Sequence, residues 1–416
     1  MARLLFFSSH APIGGHLRSA LTIAKALSDR GHELSFVTSE GPGLELVINS
    51  GIDYLVLPHL PTSGGDMSLR NFVPLLRICK HAQPAIIHSF MGGILELSLI
   101  ARFCNVPLIA TICGGKPHRI FPRMQPVIVF SGELADWLTS IGIPSTSVHV
   151  IPARMNLAPE QADEEVNSFA KAHGVSRGLG PIVMMVCRAD ATKIAALNIF
   201  FEAAQSYGKR NQGGLFLHIG KGNCRETEEY IRKQAEDVNS KVGRRILIST
   251  SDGSHHPSKF LNLATFVVGM GRSAFEGMAL GKPTLVLSNE GFAGPVQQQT
   301  IGKIAHFNFT ARGTQGSGRM GSSARLGETL EYLIHNPDVA DEAASFGRTW
   351  LEENMDVNVG AAMYEDVYQS ALGGGSVCPG ASEILKFLLY RFARRSFYRL
   401  KGILGREPGP SRQKLR

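Results

Sequence analysis

No apolar stretch of this 416-residue chain reaches the roughly 18 uncharged residues that a spanning helix needs. The one long apolar region, residues 85–115, is interrupted by His88, Glu96 and Arg102. The first ten residues, MARLLFFSSH, hold too short an apolar run for the core of a secretory signal. Cysteine is sparse and scattered: Cys79, Cys104, Cys113, Cys187, Cys224 and Cys378 form no C-x-x-C pair, which argues against a zinc ribbon or a disulfide framework. Several lie in apolar runs, such as Cys187 in IVMMVCR, as reduced buried thiols in a reducing compartment do. No repeat at a solenoid period is present. The body also lacks excess charge. Ten of the 43 Lys and Arg, but only one of the 35 Asp and Glu, lie in residues 384–416, so the remainder carries 33 basic against 34 acidic side chains. A nucleic-acid-binding face is therefore not expected on the body.

What the chain does have is alternation. RLLFF, ELSFVTS, DYLVLP, AIIHS, PLIATI, PVIVFS and VHVIP read as short strands. Between them lie helical patterns, beginning with Leu17–Arg30, where Leu17, Leu21, Ala24 and Leu27 share a face and Gly31 ends the helix. The run from Pro152 to Pro181 is polar and strandless and reads as a connection. The alternation restarts with IVMMVCR and continues through GLFLHIG, RILIST and ATFVV, with closing helices at LGETLEYLIHN, ADEAASFGRTWLEEN and NVGAAMYEDVYQSAL. Short strands alternating with helices predict an α/β fold of two doubly wound, Rossmann-like parallel sheets. Ligands of such sheets bind at the carboxyl ends of the strands, and two halves facing across a cleft suit a two-substrate enzyme. The glycine- and serine-rich ARGTQGSGRMGSSAR reads as a mobile loop.

The organising stretch is residues 264–296. ATFVV is a strand, residues 269–273 a turn, Ala274–Leu280 a helix stopped by Gly281, TLVL a strand and NEGFAGP a loop. Glycines where a helix begins let backbone N–H groups face a phosphate. GMGRSA also fits G-x-G-x-x-A, with Glu290 about 20 residues on, which keeps a nicotinamide or flavin enzyme among the alternatives.

GGHLRSALTIAKALSDRGHELSFVT, VIVFSGELADWLTSIGIPSTSVHVIP, Arg188 with Lys193, and FVVGMGRSAFEGMALGKPTLV together resemble the successive landmarks of GT-B glycosyltransferases. The resemblance is to glycosyltransferase family 4, whose known members retain anomeric configuration, and it covers residues 1–371. It implies an acceptor domain over 1–155, a connection over 156–180, a donor domain over 181–350, a closing helix over 351–371 that returns to the N-terminal domain, and a spacer with tail over 372–416. Gly14 and Gly15 match the family's N-terminal glycine loop. Arg188 and Lys193 match the pair that clamps the donor diphosphate, where a cationic fork and a point charge meet the growing negative charge of the leaving group. Gly220 and Gly222 match the glycine turn beside the nucleotide. Gly271, Arg272 and Ser273 form the phosphate-facing turn, and Glu276 matches the glutamate that accepts from the ribose. Two positions depart: Val268 stands where the family usually has a first glutamate, and Cys113 where it often has a histidine. Both would touch the transferred sugar, so a different sugar or lost activity is implied.

His16 is a candidate general base, as the histidine of a similar loop is in inverting GT-B enzymes. That leaves retention or inversion open. His88, Cys113 and Gly114 are candidates for the acceptor or sugar pocket. No metal cluster and no cofactor is expected beyond the nucleoside-diphosphate sugar substrate. In the tail, Ile384–Leu404 places Leu385, Leu389, Phe392, Leu400 and Ile403 opposite Arg391, Arg394, Arg395 and Arg399. That is the pattern of a helix lying on an anionic membrane, though a docked helix or a disordered tail carries the same residues. The expectation is a cytoplasmic, peripherally membrane-bound glycosyltransferase acting on a surface glycan or lipid-linked saccharide. Its alternatives are a GT-B-fold sugar-nucleotide epimerase and a non-catalytic GT-B subunit.

Overall fold

The computed structural model describes all residues except 9–10, 12–14, 58–71, 91, 117–125, 158–161, 223, 253–256, 315–317, 375–379, 391–392 and 394–416; residues 177 and 318–320 are described by backbone alone. The chain divides into two compact units. The first comprises Met1–Phe130, Leu134–Ile151 and the chain from Ala361 onward; the second comprises Ser131–Glu133 and Pro152–Gly360.

In the first unit, β1 (Arg3–Phe7), β2 (Glu33–Ser39), β3 (Asp53–Leu57), β4 (Ile86–Phe90), β5 (Leu108–Ile112), β6 (Val127–Val129) and β7 (Val148–Val150) form one sheet in the order 3-2-1-4-5-6-7. Every pairing is parallel. Central strands read as unbroken apolar runs because helices cover both faces. Helix α1 (Gly15–Asp29) follows β1 and buries Leu17, Ala20, Leu21, Ala24 and Leu27, the expected stripe. The other helices are α2 (Leu44–Ile48), α3 (Phe72–Ala82), α4 (Ile94–Cys104) and α5 (Gly132–Ser140).

In the second unit, β8 (Ile182–Val186), β9 (Leu215–Ile219), β10 (Leu247–Thr250), β11 (Phe266–Gly269), β12 (Thr284–Ser288) and β13 (Gly291–Pro295) are ordered 10-9-8-11-12-13. The helices in chain order are α6 (Glu164–Ala172), α7 (Ile194–Arg210), α8 (Arg225–Val242), α9 (Arg272–Ala279), α10 (Gln298–His306), α11 (Gly318–His335) and α12 (Pro337–Met355). Helix α13 (Val357–Gly373) closes the body. β8 pairs with β9 on one side and with β11 on the other, so the winding reverses between β8 and β11. That is the switch point at which open α/β sheets hold ligands.

Two expectations are corrected. The NEGFAGP segment is not a loop: β13 runs antiparallel to β12, and Gly291 and Gly294 take φ of +132° and +117° at this edge. ARGTQGSGRMGSSAR is not loop throughout, since α11 starts at Gly318. Ser322 serves packing there, its buried hydroxyl accepting the Phe292 N–H at 3.2 Å, and further along α11 Leu326, Leu330 and Leu333 enter the core. Helix α10 follows β13, and at its start Thr300 Oγ1 accepts the Gln297 N–H at 3.2 Å.

Candidate functional site

The loops at the carboxyl ends of β8, β9, β11 and β12 converge within the second unit. After β8, Ala189 N–H donates to Lys221 C=O at 3.2 Å, which ties this loop to the one after β9. Gly220 and Gly222 are required by that approach: a Cβ on Gly220 would lie 1.7 Å from Cys187 O, and one on Gly222 would lie 2.3 Å from Ala189 O. Beneath them the buried His218 ring bonds Ser249 Oγ at 2.8 Å and the Cys187 carbonyl at 3.0 Å. Burial depresses His218 to a pKa of about 4, so it is a neutral strut at physiological pH. Burial likewise pushes the Cys187 thiol up to about 12.

Arg188 projects from this loop with its side chain 44% exposed, and its Nη1 lies 3.2 Å from Oδ2 of Asp190. Lys193 precedes α7, and its Nζ donates to Met270 Sδ at 3.2 Å. This contact joins the loop after β8 to the loop after β11 across the switch point. In the latter loop Gly271 takes φ +53°, ψ −122°, a backbone conformation that favours glycine. Its N–H donates to Phe309 C=O at 2.9 Å, while Ser273 Oγ accepts Met270 N–H at 3.1 Å. The N–H groups of Arg272 and Ser273, in the first turn of α9, have no acceptor within the helix and carry the positive end of its dipole. Arg272 Nε donates to Glu276 Oε1 at 3.1 Å on the same helix. Arg188, Lys193, Gly220, Gly222, Gly271, Arg272 and Ser273 therefore all lie on loops or a helix start at one end of one sheet, with Glu276 one turn further along α9.

Sequence reasoning missed three contributors. Asn289 after β12 donates to Thr192 C=O and accepts Ala196 N–H at 3.2 Å, which pins the start of α7. Met270 seats Lys193. Asp190 lies two residues after Arg188 in CRADATK, a proximity that was its one available signal. Glu290, the acidic residue of the dinucleotide pattern, accepts from Ser288 Oγ at 2.6 Å beside the β12–β13 turn.

Val268 is fully buried in the core, among Val183, Met185 and Leu285, so its side chain is structural.

In the first unit Gly14 lies outside the described residues, Gly15 opens α1, and His16 is half-buried and engaged by other groups. Cys113, just after β5, is a buried thiol whose pKa burial raises, and Gly114 beside it has open space where a Cβ would stand. His88 is different. It is fully buried in β4 and bonds Tyr368 OH at 2.6 Å through Nδ1 and Thr111 Oγ1 at 2.8 Å through Nε2. Phe6, Phe90 and Tyr364 surround the ring. Both nitrogens are committed to the chain's own hydroxyls, and burial lowers the pKa to about 3. His88 thus anchors α13 to the sheet and presents nothing to an acceptor. Among the described residues, no three potential metal-ligating side chains gather.

Residues 13–157 match the family model described as Glycosyltransferase Family 4. No curated protein matches the sequence. A glycosyltransferase from Rickettsia africae has a similar structure at 14% identity, with 90% of this chain and 99% of that one covered and a TM-score of 0.67. HepE from Anabaena, solved with UDP and glucose, is similar at 15% identity over 89% of this chain and all of that one, with a TM-score of 0.66. UDP-GlcNAc 2-epimerase from Neisseria meningitidis, bound to UDP-GlcNAc, is 14% identical over 89% of this chain and all of that one, at 0.56. The chain has the fold of the GT-B glycosyltransferases, with two Rossmann-like units, and its residues 13–157 resemble glycosyltransferase family 4.

Proposed function

We propose that this protein moves a sugar from a nucleoside-diphosphate sugar to a hydroxyl of a surface glycan or lipid-linked saccharide. The observation that carries the reading is the switch point of the second unit, where Lys193 meets Met270 just before the glycine start of α9 and Arg188 projects from the same loop as Lys193. Arg188 and Lys193 neutralise the diphosphate as its bond to the sugar breaks, and the α9 N–H groups hold its oxygens. Glu276, oriented by Arg272, accepts from the ribose. UDP-bound structures of similar fold support a nucleotide-sugar donor. His16, at the start of α1, takes the acceptor proton if the reaction inverts; if it retains, the departing phosphate oxygen takes it. Cys113 and Gly114, at the end of β5, line the sugar or acceptor side. The basic amphipathic tail, Ile384–Leu404, holds the enzyme at the cytoplasmic face of an anionic membrane.

Thermal-shift measurements with UDP, GDP, ADP, TDP and NAD test the donor. Stabilisation by one nucleoside diphosphate, lost in Arg188→Ala, is expected; stabilisation by NAD alone would overturn the reading. Turnover of UDP-GlcNAc without any acceptor would assign the chain to the epimerases, whose fold it also matches.

A further inference from the structure

The Asp190 carboxylate is the one acidic group built into the loop that carries both donor-site cations. Its side chain is 4% exposed, against 44% for Arg188. One oxygen, Oδ1, accepts the Thr192 N–H at 2.9 Å and the Thr192 hydroxyl, and the Asp190 carbonyl accepts the Lys193 N–H at 2.9 Å. The other, Oδ2, stands 3.2 Å from Arg188 Nη1 as an ion pair, with no aligned hydrogen bond to a described residue. One carboxylate therefore fixes the turn leading into Lys193 and α7 while facing the guanidinium of Arg188.

We propose that Asp190 is a positioning residue, holding Arg188 in the orientation from which it meets the donor diphosphate. This inference rests on the donor site described under Proposed function. An arginine free to sample its rotamers loses entropy on clamping an anion, whereas one already held by a buried carboxylate does not. The carboxylate costs some attraction for an anionic ligand. The proposal is that orientation outweighs that cost.

Asparagine separates the two roles. Asp190→Asn keeps an oxygen to accept from Thr192 and so preserves the turn, but replaces the anion facing Arg188 with an amide. Full-length wild type, Asp190→Asn, Arg188→Ala and the double variant are titrated calorimetrically with UDP, and their melting temperatures are recorded alongside. The expected result is binding about tenfold weaker in Asp190→Asn, with the melting temperature near wild type and no further loss when the change is made on Arg188→Ala. Equal weakening in both backgrounds would make Asp190 a structural cap and overturn the proposal. Tighter binding in Asp190→Asn would show that charge repulsion dominates, and would overturn it too. If wild type binds UDP and Arg188→Ala binds it equally well, the donor-site reading itself fails. If no nucleoside diphosphate binds wild type, both fall together.

Discussion

Gly220 and Gly271 are both expected from sequence to lie beside the nucleotide, yet the physical reasons they are glycine differ. A methyl group on Gly220 would overlap the Cys187 carbonyl, which is backbone and cannot swing aside. A methyl on Gly271 meets open space, and only the positive φ opposes it. Gly271→Ala is therefore expected to cost about 1–3 kcal/mol in denaturant unfolding. Gly220→Ala is expected to cost more, and to displace Arg188 by pushing the loop after β8. Equal costs in the two variants would refute the distinction. Val268 makes a similar point about carboxylates. Placing there the glutamate that glycosyltransferase family 4 usually carries puts a charge among Val183, Met185 and Leu285. Val268→Glu should destabilise by about 3 kcal/mol or more, read as a lower denaturation midpoint. An unchanged midpoint would show that the side chain reaches a polar surface.

At the scale of elements, α13 is fastened to the first unit by two polar devices. The inner one is His88 with Tyr368, Thr111 and Tyr364; the outer one is Glu365, which accepts from Arg30 Nε at 2.9 Å and Nη2 at 2.6 Å and bonds His32. Tyr368→Phe leaves one His88 nitrogen buried without a partner, which should cost about 1–3 kcal/mol in chemical denaturation. The pH dependence follows from His88 and Glu365 here and from His218 in the second unit. His88 and His218 titrate near 3 and 4 in the folded protein, against an ordinary value near 6.5, so the unfolded chain binds more protons across that interval. Stability must fall as pH drops below about 6.5. Glu365 acts in the same direction. Its pKa is held down chiefly by the Arg30 hydrogen bond, and its contribution is lost as pH falls through that depressed value. Melting temperatures measured from pH 7.5 down to 4.5 should decline steadily, and a flat profile would contradict the assignment.

These elements also mark what was legible beforehand. The alternation of strands and helices, the switch-point loops and the glycines that open α9 could be read because period and turn chemistry are local. The register that buries His88 against Tyr368, 280 residues away, left no local trace. Nor did the conversion of a serine- and glycine-rich segment into the packed start of α11, where tertiary contacts override propensity.

For the whole molecule, the telling feature is the separation of charge between a nearly neutral body and a tail with ten Lys and Arg against one Glu. No helix among the described residues is long and apolar enough to cross a membrane. A further helix over 381–390 precedes the basic cluster, and the structure divides its apolar residues into two kinds. Ile384 is 3% exposed and belongs to the body, whereas Leu385 and Leu389, one turn apart, are 56% and 61% exposed. A truncation meant to test membrane attachment should therefore keep Ile384 and remove residues 385–416. Each basic residue near an anionic surface contributes about 1 kcal/mol, so ten of them are ample for peripheral binding, and the attraction weakens with salt. The truncated protein should lose sedimentation with vesicles containing phosphatidylserine while keeping its melting temperature and its response to nucleoside diphosphates. Binding that persists after truncation would place the membrane contact on the body. Binding of the full chain that is indifferent to salt would mean that Leu385 and Leu389, rather than the arginines, dominate the attachment.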